Sequence, residues 1–109
     1  MVFTGRYYAE AGVNNAERVN FAQGDVNKAT ADELRAAWGP VFSTAGTFTI
    51  TGNTMKWTRT VAKNPAAMAS GNFMEFTFTL NGDNLTMTQV RNQAGPVVNP
   101  PTVRLTRAK

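Results

Sequence analysis

Arg59 shares its parity with Met55, Trp57 and Val61, so an alternating strand turns its guanidinium toward an apolar interior. A buried cation needs a partner, and in a barrel cavity that partner is a ligand carboxylate or phosphate gripped by the planar guanidinium fork. Two plainer outcomes stay open: a bulge or fraying carries Arg59 to the rim, or it pairs internally with Glu75. Gln89 and Arg91 continue the inward parity of Leu85 and Met87. With Arg59 they form either a polar patch at one end of a greasy pocket, suited to an amphipathic ligand, or strand ends that are polar for solvation alone. Tyr7, Tyr8, Trp38, Trp57, Phe76 and Phe78 either supply flat pocket walls or make plain core. Met55, Met68, Met74 and Met87 are adaptable lining or gap fillers.

Catalytic chemistry has few carriers. The chain has no histidine and no cysteine, which removes Ser-His-Asp and Cys-His constellations, thiolate nucleophiles and zinc sites built from imidazole or sulfur. Acid-base work would fall to carboxylates or tyrosines. Glu75 shares its parity with threonines on the outer face, and Asp25, Asp32, Glu33 and Asp83 have turn or capping explanations. No carboxylate pair is spaced for glycoside hydrolysis or an oxygen-ligand metal site, and the glycines form no P-loop or dinucleotide fingerprint. Neither catalytic residues nor a metal nor a cofactor are expected.

The elements that must position these side chains are mostly strands. In 46–51 the apolar residues Phe48 and Ile50 alternate with threonines; Gly52-Asn53 then turns the chain into Met55, Trp57 and Val61. A second hairpin repeats the grammar, with Met74, Phe76, Phe78 and Leu80, the turn Asn81-Gly82-Asp83, then Leu85, Met87 and Gln89. A short strand over 102–106 turns Val103 and Leu105 inward. Residues 2–9 read as one strand, with Phe3 and Tyr7 on one side and Arg6 and Tyr8 on the other. One helix is predicted: Thr30 and Glu33 form a T-x-x-E capping box, Leu34 and Trp38 share a face, and Gly39-Pro40 supplies a left-handed stop. So short a helix should pack on the sheet or plug it. Residues 12–29 and 63–71 read as loops. The fold class is thus mainly β: an antiparallel meander of about six strands curled into a barrel or half-barrel with one short helix.

A chain of 109 residues is one domain, spanning 1–109, and is long enough to fold without staples. Apolar residues make up 42% and charged residues 17%, outside the regime of disordered chains. Eleven Lys and Arg against seven Asp and Glu give a net charge of +4, but the basic residues are scattered, so no nucleic-acid partner is expected. No apolar run reaches the length of a membrane span, and the first ten residues carry charges where a signal peptide has its apolar stretch. The lack of cysteine fits a reducing cytosol and a disulfide-free secreted domain equally, which leaves the compartment open.

Taken together, the GRYY run (5–8), the 30–39 helix, GTFTITGN (46–53), AKNPAAM (62–68), NGDNLTMT (81–88) and VRLTR (103–107) resemble the bacterial lipocalin-like domain family. The resemblance covers most of the chain and implies a small up-and-down β-barrel whose interior holds one apolar molecule. The family pattern has an opening segment with further strands before GRYY, and this chain starts almost at that run. The resulting open edge predicts a homodimer in which two chains complete each other. The expected function is binding of a small hydrophobic or amphipathic, anionic ligand in the barrel, without catalysis, by Arg59, Trp57, Tyr7, Phe76, Phe78, Met87, Gln89 and Arg91. The alternatives are a small barrel enzyme of the cyclase or isomerase kind, or a homodimeric assembly module without ligand.

Overall fold

The computed structural model describes residues 1–14 and 20–108. Its strands are β1 (Val2–Thr4), β2 (Tyr7–Val13), β3 (Val41–Thr51), β4 (Thr54–Ala62), β5 (Met74–Asn81), β6 (Asn84–Asn92), β7 (Gly95–Pro96) and β8 (Thr102–Thr106), with a helix α1 (Ala31–Trp38) between β2 and β3. The strands make one antiparallel meander in the order β1 to β7, and β8 pairs with β6. The expected mainly β architecture is therefore present, with eight strands among the described residues instead of about six. The sheet curls but does not close into a barrel.

Alternation builds both faces. Phe48, Met55, Trp57, Phe76, Phe78, Met87 and Val103 point inward, and the fully or nearly buried core is Tyr8, Met55, Trp57, Phe76 and Met87. Threonine supplies the opposite face: Thr51, Thr54, Thr77, Thr88 and Thr102 stand in one cross-strand row. β-Branched residues suit such a half-solvated pleat, and the Thr88 and Thr102 hydroxyls meet at 3.1 Å.

Several expectations need correcting. Residues 2–9 are not one strand: Gly5, at a φ of 54°, turns the chain so that Phe3 pairs with Tyr8. Phe3 and Tyr8 consequently share the inner face, while Tyr7 is half exposed on the other side. β2 runs on to Val13, into the expected loop 12–29, of which residues 15–19 lie outside the described residues. β3 begins at Val41, five residues earlier than alternation from Gly46 suggests. Within 63–71 a 3-10 turn, Pro65–Met68, buries Ala67.

Two bulges reset the inward count. Ala45 pairs with Val61 but Gly46 pairs with Arg59, so Thr60 is the extra residue on β4. Val61 is thereby flipped outward and is 62% exposed, against the inward position predicted for it. In the same way Glu75 pairs with Arg91 and Phe76 with Gln89, which leaves Val90 unpaired and turns Arg91 to the outer face.

The helix also departs from expectation. Its capping box is formed, with Glu33 N donating to Thr30 Oγ1 at 3.2 Å and Thr30 N to Glu33 Oε1 at 3.1 Å. Glu33 Oε2 also accepts from Ala22 N, and these backbone donors hold its carboxyl below the usual carboxylate value. Yet α1 buries no residue, and Leu34 and Trp38 are exposed, so it does not plug the sheet. Gly39 stays in the right-handed region. Carbonyls at the exit of the helix are instead taken by Lys63, whose Nζ donates to the carbonyls of Trp38, Gly39 and Val41.

Candidate functional site

The inner face divides at Gly46. On one side lies a finished core, where Tyr8 stacks on Trp57 with centroids 4.1 Å apart and Phe76 lies 4.6 Å from the same indole. Phe3 meets it edge-on at 5.7 Å. The indole N–H donates to Met55 Sδ at 2.9 Å, so the one polar atom of Trp57 is satisfied in the core. These side chains fill the interior. Trp57, Phe76 and Met87 are buried against their neighbours, Phe78 packs on them, and none of the four lines the pocket beside Arg59 or the one beside Leu105.

On the other side the chemistry changes. Tyr8, Gly46 and Arg59 occupy one cross-strand row. A Cβ at Gly46 would collide with the Thr58 carbonyl oxygen, so glycine is what lets β3 and β4 close together at the bulge. Arg59, next to that gap, is half-buried, and its Nε is wholly buried without a hydrogen-bond partner. Its neighbours are polar. The Tyr8 and Thr44 hydroxyls share a hydrogen bond of 2.8 Å, and Glu10 pairs with Thr44 in the next row. Burial pushes the Glu10 carboxyl above its ordinary value, while the Met1 amino group and Arg59 pull it back. Burial likewise raises the Tyr8 hydroxyl, against the bond to Thr44.

Arg59 forms one wall of a pocket of about 520 Å³. Its other polar walls are Ser43, Thr44, Lys63 and Asn64; Val41, Phe42, Ala62 and Ala67 make the apolar ones. The two cations differ in availability. Lys63 commits its three donors to the end of α1, and Asn64 Oδ1 caps the following turn through Ala66 N at 3.1 Å. Of the two, Arg59 has a buried donor without a partner. A site walled by a guanidinium, by polar residues and by apolar ones can orient an anion that carries an apolar body.

The expected residues do not all meet here. Arg59 is in place, whereas Gln89 sits beside Phe76 on the inner face and Arg91 lies outside, so the patch of Arg59, Gln89 and Arg91 is not assembled. Arg59 does not pair with Glu75 either, since Glu75 stands on the outer face between Lys56 and Arg91. Those two cations flank the Phe73 ring at 4.5 and 5.6 Å. Tyr7 accepts from Arg6 Nη2 at 3.2 Å, away from the pocket. Glu10, Ser43, Thr44 and Lys63 were not anticipated. A glycine inside the 46–51 pattern was the available signal for a close approach, and alternation carried past Tyr8 reaches Glu10. Among the described residues no group of three or more acidic side chains could hold a metal ion, and no helix is long and apolar enough to cross a membrane. Comparison with family models, curated proteins and solved structures returned no match for this chain.

Proposed function

We propose that this chain binds a small amphipathic molecule with an anionic end and does no chemistry on it. The observation that carries this reading is Arg59, which lines an otherwise half-apolar pocket and whose buried Nε has no partner. Leaving such a donor unmet costs about 1–3 kcal/mol, and a ligand oxygen removes that cost. The volume of about 520 Å³ falls within the range of small-molecule sites. In this reading the protein is an open, lipocalin-like half-barrel whose ligand sits at the polar end of the interior, because aromatic rings already occupy the middle.

The test compares decanoate with decanol on the wild-type protein and on Arg59→Met, by calorimetric titration. A hydrogen bond to a charged group is worth about 1.5–3 kcal/mol, so decanoate binding should weaken by about tenfold or more. Decanol binding should stay nearly unchanged. Equal loss for both ligands would make Arg59 a structural residue and overturn the proposal.

A further inference from the structure

The two free edges of the sheet present a second surface, remote from Arg59. Neither the far edge of β1 nor that of β8 is paired among the described residues. Between these edges lies a trough of about 520 Å³, lined by the apolar Phe3, Leu80, Leu85 and Leu105 and, on the polar side, by Asp83 and Arg107. Leu80 is 60% exposed there.

The hydrogen-bond parity of β8 identifies its open groups. Gln89 N donates to the Pro101 carbonyl, and Arg107 N donates to the Asp83 carbonyl, so odd-numbered residues of this segment direct their backbone groups at β6. The N–H and C=O of Thr102, Arg104 and Thr106 therefore point away from the sheet. Such a row is a template for one more strand.

We infer that this seam binds an extended peptide strand that alternates apolar with acidic residues. An antiparallel strand added to β8 meets the open backbone groups of Thr102, Arg104 and Thr106 and drops every second side chain into the trough. Its remaining side chains lie beside Arg104, which is exposed on the outer face; Arg107, bridged to Asp83 at 3.7 Å, shares the odd parity of Leu105 and lines the trough instead. Arg104 and the net charge of +4 select acidic residues on that outer face. The same charge disfavours a second copy joined β8 to β8, because that arrangement brings arginines together.

Amide hydrogen exchange read by NMR on the full chain tests this. The probe is a capped nine-residue peptide of alternating glutamate and valine; a lysine–valine peptide and a glutamate–valine peptide with a central proline are the controls. The first should slow exchange at Thr102, Arg104 and Thr106 by about tenfold or more, leaving Val103 and Leu105, already bonded to β6, nearly unchanged. The proline peptide should not, since it lacks the central donor. Arg104→Glu should weaken the acidic peptide by about fivefold and favour the lysine peptide. No protection at millimolar peptide, equal protection by the lysine peptide, or protection that rises with protein concentration alone would overturn the inference, the last by placing a second copy on the edge.

Discussion

Trp57 and Arg59 stand two residues apart on the same strand and the same face, yet they end in opposite conditions. The indole is stacked, edge-packed and hydrogen-bonded; the guanidinium Nε is equally shut off from water but has no partner. Between them the β3 partner changes from Phe48 to Gly46, which contributes no side chain. The contrast teaches that this curled sheet packs its middle with aromatic rings and leaves an unpartnered polar group at the end, where a bulge and a glycine interrupt packing.

The largest effect should come from the packed side. Trp57→Ala removes the ring on which Tyr8, Phe3 and Phe76 converge, and should cost about 3–5 kcal/mol in urea unfolding, a large share of the stability of a domain of this size. Gly46→Ala strikes the boundary between the two regions. Its methyl group meets the Thr58 carbonyl, so unfolding should show a loss of about 3 kcal/mol. Because the bulge must then shift, decanoate affinity should fall together with stability. A Gly46→Ala protein that keeps both would dissolve the distinction drawn here.

The boundary is also where the sequence stops being legible. Alternation located both hairpins and turned Arg59 inward, because side-chain period two is a property of any extended chain. It failed at Val61 and Arg91, since each lies beyond a bulge and one inserted residue inverts every later assignment. Thr60 and Val90 carry no local mark of being unpaired. The turn at Gly5 misplaced Tyr7 and Tyr8 for the same reason. The capping box was readable from Thr30 and Glu33 because it is local. That Lys63 would close the other end of the helix was not, being a contact across more than twenty residues.

Smaller effects sharpen the comparison on the polar side. The Glu10 carboxyl is raised by burial, so its protonated form is favoured in the folded state. Its contribution is fully present below the ordinary carboxyl value of 4.5 and is lost as pH rises through the higher folded value. Glu10→Gln should therefore raise the melting temperature at neutral pH, and the gain should vanish in acid; a gain independent of pH would assign the effect to packing. The smallest global effect belongs to the helix. Thr30→Ala removes a cap worth about 1 kcal/mol to α1, but α1 buries nothing. Amide exchange within Ala31–Trp38 should quicken while the midpoint of global unfolding stays nearly fixed. A matching global loss would show that the helix is coupled to the sheet.

The most direct measurement is the Nε–H resonance of Arg59, observed by NMR while decanoate is added. With a ligand oxygen completing the buried donor, that proton should move downfield and exchange more slowly with water as decanoate binding saturates. A bound ligand that leaves the Arg59 Nε–H unmoved would contradict the account.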